Sequence, residues 1–342
     1  GDALRYLNQK LISLTSDADR ARQLGNGLRL AASLGVTTLD FVSCDADSFR
    51  VLQELRRKDA LLVRIRIHIT PDMLQTMVTT GLGVGFGDRW LKVSGVKTFA
   101  DGSLGARTAW LSFPYEDDPD NQGNASSSED ELLALASLAE KQDLQLAVHG
   151  IGDRAVDLIL GIFSRLEKIK SLRHRIEHCS IVRGDQIRRI EALGVPLVVQ
   201  PHFAITDWWA LNRVGSRRAD YVYPFGTMIK EGIRVAFSTD SPVEPLDPWK
   251  TVYAAVTRGV YEEGSLSLQT SGEGISLEQA LDCYTRGSAF ALNEEANLGT
   301  LEPGHFADFL ILEPDPFDVD AKELGNIRID EAYVGGRRVH PM

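Results

Sequence analysis

The sequence predicts an α/β fold: a (β/α)8 TIM-type barrel missing its first strand, with a partial β-sandwich appendage at the C-terminus. Three observations carry that expectation. Short β-rich runs alternate with helical patterns along most of the 342 residues, the signature of parallel strands joined by crossover helices. Strands of this kind number seven. No strand-to-helix turn carries the G-x-G-x-x-G of a dinucleotide-binding sheet, so the barrel is preferred to an open doubly wound sheet. Gly81-Leu-Gly-Val-Gly-Phe-Gly87 is glycine-rich, but it is mis-spaced and precedes a strand, so it reads as a loop.

The elements follow in order. Residues 17–34 carry an apolar stripe at Ala21, Leu24, Leu28, Ala31 and Ala32, with Gly35 placed to end the helix. Val36–Ser43, Leu61–His68 and Leu91–Phe99 read as strands, the last interrupted by Gly95. A polar loop from Asp101 to about Ser127 is long enough to suggest function rather than mere connection. Ser128 with Glu131 forms a capping box for a helix striped at Leu132, Leu135, Ala136 and Ala139. Then come strand 144–149, helix 153–166, strand 174–178, helix 185–193 and strand 196–200. A loop with Trp208 and Trp209, strand 234–240, and helices over 249–261 and 276–292 complete this part. Glu302-Pro-Gly-His305 is a type II turn signal leading into strand 307–312, and Ala332–Val339 reads as a hairpin about Gly335-Gly336. The expected partition is a barrel over 1–298 and sandwich strands over 299–342.

Composition bounds the function. A charged fraction of 25% with 43% hydrophobic residues is that of a folded domain. The net charge of −11 argues against nucleic acid, whose phosphates need a basic face. No run approaches the ~18 apolar residues of a membrane span. The opening Gly-Asp-Ala-Leu-Arg-Tyr-Leu lacks the apolar core and cleavage site of a secretory leader. Cys44, Cys179 and Cys283 form neither a disulfide framework nor a zinc-finger spacing, which suits a reducing compartment. The expectation is a cytoplasmic protein with a small-molecule substrate and neither nucleic-acid nor membrane partner; a homo-oligomer is left open.

Catalytic groups of a parallel barrel sit where its strands end. Here those positions hold Lys97, His149, His178 and Asp240. Each alone has an ordinary structural reading, as a hydrogen-bonded imidazole, a surface cation or a turn-forming Asp. All four falling in one register points to a joint role. Two neutral imidazoles and a carboxylate suit zinc or a similar divalent ion with one position open for water. The metal would bring that water's pKa to ~7, and Asp240 could take its proton and pass it to a leaving nitrogen. Lys97 repels a metal as a cation and could join it only when carbamylated.

Val96-Lys-Thr-Phe-Ala-Asp-Gly-Ser-Leu-Gly-Ala-Arg-Thr-Ala109, Ala147-Val-His-Gly-Ile-Gly-Asp-Arg-Ala155, Arg175-Ile-Glu-His178 and Phe237-Ser-Thr-Asp-Ser-Pro242 resemble the YtcJ-like (amidohydrolase 3) branch of the metal-dependent amidohydrolase superfamily. Leu301–Leu312 is similar to that superfamily's C-terminal return into a small β-sandwich. The resemblance implies a metallo-barrel hydrolysing C–N bonds. It also implies that Lys97 is a metal-bridging carbamate and that His149, His178 and Asp240 are ligands. The family's His-x-His pair on strand one has no counterpart among the histidines at 68, 149, 174, 178, 202, 305 and 340. The expectation is a fragment or a natural truncation, with weakened metal binding and doubtful activity.

Neighbouring residues each carry two readings. Ser103 and Arg107 could orient a substrate carboxylate, an Arg fork matching it bidentately, or simply anchor their loop. His202 could hydrogen-bond a substrate carbonyl at the site mouth. Trp208 and Trp209 line the pocket or pack beneath the loop. Asp153 reads first as a helix cap, Glu177 as pointing away from its neighbour His178, His174 as structural and Cys179 as a core thiol. Two rival functions remain: an inactive barrel with a binding or scaffold role, and a Schiff-base lyase built on Lys97.

Overall fold

The computed structural model describes residues 15–342, so the reading of Gly1–Leu7 as lacking a leader lies outside the described residues. Helix α1 (Asp17–Ser33) starts at Ser16, whose side chain accepts the Asp19 N–H. It feeds β1 (Thr38–Cys44), α2 (Ala46–Arg57), β2 (Arg64–Ile69), α3 (Pro71–Thr80) and β3 (Leu91–Phe99). After the long loop come α4 (Glu129–Lys141), with its capping box formed, β4 (Gln145–Gly150), α5 (Asp153–Phe163), β5 (Arg175–His178), α6 (Gly184–Leu193) and β6 (Leu197–Val199). β7 (Val235–Phe237) and α7 (Pro248–Thr257) close the series. Helices α2 and α3 go beyond the expectation, as do the short helices Ile169–Leu172, Phe225–Lys230 and Ser265–Gln269. Asp45 caps α2 by accepting the Ser48 N–H, and Pro71 opens α3. Residues 203–206 and 210–214, expected as loop, form short helices, and 276–292 is broken by a π-turn at 283–287.

The seven strands form one parallel sheet in sequence order, β1 to β7, the barrel-type arrangement expected. β3 runs through Gly95 unbroken. A Cβ there would sit 2.3 Å from the Gln145 carbonyl oxygen and 2.6 Å from the His68 ring, so only glycine allows β2 and β4 to approach. The two faces of the sheet differ in kind. Ile65, Ile67, Leu146, Val148, Ile176, Leu197 and Val235 join the apolar core shared with the helices. By the period-two alternation of strands, the inner face receives Arg64, Arg66, His68, Lys97, Gln145, His149, Arg175 and Glu177, all buried. Such charges need partners, and they have them. Arg64 binds Asp308 at 2.7 and 2.9 Å, Arg66 binds Glu294, and Arg175 binds Glu177 and Asp40. Among the described residues no helix is long and apolar enough to cross a membrane.

The tail builds a second, antiparallel sheet in the order β10-β9-β8, from β8 (Phe309–Glu313), β9 (Arg328–Val334) and β10 (Arg337–His340). Gly335 and Gly336 have φ of 60° and 74°, the left-handed pair a tight hairpin needs. Ala332, Val334 and Val339 share one buried apolar cluster with Leu28 and Ala31 of α1.

Candidate metal centre

Parallel pairing aligns the strand ends. Phe99 stands opposite His149, His149 opposite Glu177, and Gly150 opposite His178. Glu177 and His178 would face opposite ways in a regular strand, but His178 has φ +73° and breaks the alternation. Its ring comes within 4.4 Å of the His149 ring, centroid to centroid. Glu177 is buried as well and paired to Arg175 at 2.7 Å, a buried arginine rather than a surface one. Both residues serve the same end of the sheet.

Hydrogen bonding fixes which nitrogen of each imidazole is free. His149 Nε2 lies 2.9 Å from the Gly102 carbonyl oxygen, which can only accept, so Nε2 carries the proton. His178 Nδ1 lies 2.8 Å from Gln200 Oε1. The Gln200 amide is oriented by its own NH2, which donates to Val198 O at 3.2 Å and Ser238 Oγ at 2.8 Å, so Oε1 accepts from His178. His149 Nδ1 and His178 Nε2 therefore keep their lone pairs. Both rings are neutral: burial, the neighbouring His178 and the Lys97 cation hold His149 well below the usual imidazole range, and burial with Lys97 brings His178 to about 3. Neutral imidazoles with the second nitrogen tied to an oxygen are the form in which His binds metal.

Lys97 is buried, with its Nζ 3.8 Å from the centre of the Phe99 ring. Burial lowers its pKa to about 8 against the opposing pull of Glu177 and Asp240. Asp240 lies three residues beyond β7 in the left-handed region, φ +53°. Burial raises its carboxyl to about 6, Lys97 drawing it down and Glu177 and Glu244 pushing it up. The four expected residues thus share one electrostatic neighbourhood, with the two imidazoles in contact. Among the described residues, no three His, Cys, Asp or Glu side chains form a group able to hold a metal ion. The donor chemistry fits a divalent ion at the imidazole pair, and the carboxylate stands outside that pair.

The other expected residues divide. Ser103 is exposed, its Oγ accepting the Ala106 N–H. The Arg107 fork is filled by Asp117, at 3.1 and 3.0 Å, and Arg213 binds the same carboxylate, so both residues anchor the loop here. His202 bonds through Nδ1 to Glu244 Oε2 at 2.5 Å. Asp153 does not cap α5, whose N-cap is Gly152; it is fully buried and accepts from Ser112 and Arg183, tying the loop to α5 and α6. Trp208 is exposed, whereas Trp209 is partly covered and packs on the core. His174 accepts the Leu146 N–H inside the fold, and Cys179 is buried, both as expected.

Sequence reasoning missed Asp101 and Glu244. Asp101 accepts the backbone N–H groups of Trp110, Ile151 and Gly152 at 2.8–3.0 Å and lies 3.5 Å from His149 Nε2. It fixes the loop against β4 beside the imidazole. Its place straight after the β3 strand end was the available signal.

A family model described as the amidohydrolase family matches residues 1–340. The "Putative amidohydrolase YtcJ" of Bacillus subtilis (strain 168) is 32% identical over 264 residues, 74% of this chain and 50% of that protein. The N-substituted formamide deformylase of Arthrobacter pascens is 28% identical over 61% of this chain and 39% of its own length. A crystal structure of an uncharacterized metal-dependent hydrolase from Pyrococcus horikoshii OT3 superposes with a TM-score of 0.86 at 39% identity, covering 92% of this chain and 64% of that one. The chain spans about half the length of the curated relatives it matches. By family model, sequence and fold together, the chain belongs to the amidohydrolase family.

Proposed function

We propose that this chain carries the metal-binding barrel of a divalent-metal hydrolase acting on C–N bonds of a small molecule. The observation that carries the reading is the pair of free lone pairs, His149 Nδ1 and His178 Nε2, on touching neutral rings. Zinc is the first candidate, since imidazole and carboxylate donors suit it. A bound ion of this kind supplies a Lewis acid for the amide carbonyl and acidifies a water beside it. Asp240 would complete the ligand set and act as proton acceptor and then donor. Lys97, with a pKa of about 8, has about a tenth of its amine neutral at pH 7, the form that takes up carbon dioxide to become an anionic carbamate.

The fold reading goes with it: 1–298 as a barrel short of one strand between β7 and β1, and 299–342 as part of a β-sandwich. The absent His-x-His leaves the metal held by fewer ligands, so turnover by this chain is expected to be low. A second reading, a binding barrel without turnover, is favoured by the lack of a three-residue metal cluster among the described residues. Protein prepared with zinc and bicarbonate and assayed on N-phenylformamide separates the two. Hydrolysis that falls roughly 10²–10⁴-fold in Asp240→Asn, with unchanged circular dichroism, supports the hydrolase. Equal turnover in the variant overturns the role of Asp240, and no turnover in either favours the binding barrel.

A further inference from the structure

His202 and Glu244 form a second imidazole–carboxylate pair beside the metal site. His202 follows β6, two residues after Gln200, which holds His178, and next to Phe203, whose ring stacks on His178 at 6.3 Å and 11°. Glu244 lies four residues after Asp240 and acts on its charge. The pair therefore ties the β6 and β7 loops together at the rim of the site. The Glu244 carboxylate is 7% exposed and accepts twice, from His202 Nδ1 at 2.5 Å and from the Thr206 hydroxyl at 2.5 Å. An acceptor fixed in this way holds the proton on Nδ1. His202 Nε2 has no hydrogen-bond partner among the described residues, and the side chain is 15% exposed. A purely structural His–Glu tie would bury the ring on both sides. This one leaves a single nitrogen open beside the metal ligands, with Asp247 acting on the His202 ring and Asp240 and Asp207 on its partner Glu244.

We propose that Glu244 is a positioning residue that locks His202 with Nε2 as a lone-pair acceptor, and that Nε2 receives the N–H of the scissile C–N group. This rests on the hydrolase reading above and narrows it: the substrate nitrogen carries a hydrogen, as in secondary amides, and N,N-disubstituted amides are rejected. It also replaces the expectation that His202 donates to a substrate carbonyl, which a ring with Nε2 as the lone-pair acceptor cannot do.

Nitrogen-15 NMR of the histidine-labelled full chain tests the proposal without turnover. His202 should show a protonated Nδ1 and a pyridine-like Nε2, and Nε2 should shift when N-phenylformamide is added to the zinc-loaded protein but not with N-methyl-N-phenylformamide. Glu244→Ala should populate the Nε2–H tautomer and raise KM for N-phenylformamide about tenfold with a smaller change in kcat, as loss of one oriented hydrogen bond does. Glu244→Gln, whose amide oxygen can still accept, should restore both. A wild-type His202 protonated on Nε2, or an Nε2 signal indifferent to the secondary amide or equally moved by the tertiary one, overturns the proposal. A secondary-amide shift without hydrolysis would sink the hydrolase reading and leave this recognition standing.

Discussion

Asp240 sets the pH dependence of the proposed reaction. Its folded pKa of about 6 means that the proton-accepting form exists above pH 6 and is lost below it. That value belongs to the metal-free protein; a divalent ion beside the carboxylate would lower it, so the acid limb of the kcat/KM profile of the zinc-loaded protein should lie below pH 6. The sign for stability is the reverse of a paired carboxylate's. A carboxyl raised from 3.8 to about 6 binds its proton more tightly when folded, so its contribution is largest below 3.8 and is lost as pH rises through 6. Metal-free Asp240→Asn is then more stable than the parent at pH 7, read as a higher urea midpoint; a lower midpoint contradicts the burial argument. At this scale the strand-end residues Lys97, His149, His178 and Asp240 were legible because a parallel barrel puts its strand ends in one place. Glu244 was not, since a loop carboxylate has no period to mark it, and Asp101 was passed over although it follows the β3 strand end. The positive φ of His178, which lets His178 and Glu177 serve the same end of the sheet, is invisible to a two-residue alternation.

Among the elements, the loop from Asp101 to Ser127 depends most on a few side chains. Buried Asp153 accepts the Ser112 N–H at 2.8 Å and binds Arg183 at 2.5 Å, so Asp153→Ala leaves several donors unmatched at once. The cost should be about 2–4 kcal/mol by denaturant unfolding, with faster proteolysis within the loop. Arg107→Ala should cost less than about 1 kcal/mol, because its ion pair with Asp117 is partly exposed and Arg213 remains on that carboxylate. If the two variants were equally destabilised, Asp153 would not be the anchor. The capping box of α4 and the hairpin at Gly335-Gly336 were readable from local chemistry alone. Helices α2 and α3 were passed over, although α2 carries an apolar stripe at Phe49, Leu52 and Leu55 and both are marked at their N-termini, by Asp45 and by Thr70-Pro71.

The whole molecule is organised around a sheet with one apolar and one charged face, and the charged face joins barrel to tail. Arg64 is buried against Asp308, flanked by the Phe306 ring at 3.9 Å and the Trp90 ring at 5.0 Å. Removing one partner of such a pair leaves an uncompensated charge, so Asp308→Ala should cost about 3–5 kcal/mol, measured by urea unfolding. A loss below about 1 kcal/mol would show that water reaches Arg64 and that the tail is weakly tied. Strand number and parallel order were legible from alternation; the charged face was not, because Arg-Ile-Arg-Ile-His reads equally well as a strand exposed to solvent. The central claim concerns what stands at the C-terminal end of that sheet, two neutral imidazoles with their lone pairs free. Zinc titration of the metal-free full chain, followed by calorimetry, tests it most directly. The account predicts one zinc bound per chain and its loss in both His149→Ala and His178→Ala, each variant keeping the parent's circular dichroism. Binding of equal strength in the parent and in both variants would contradict it.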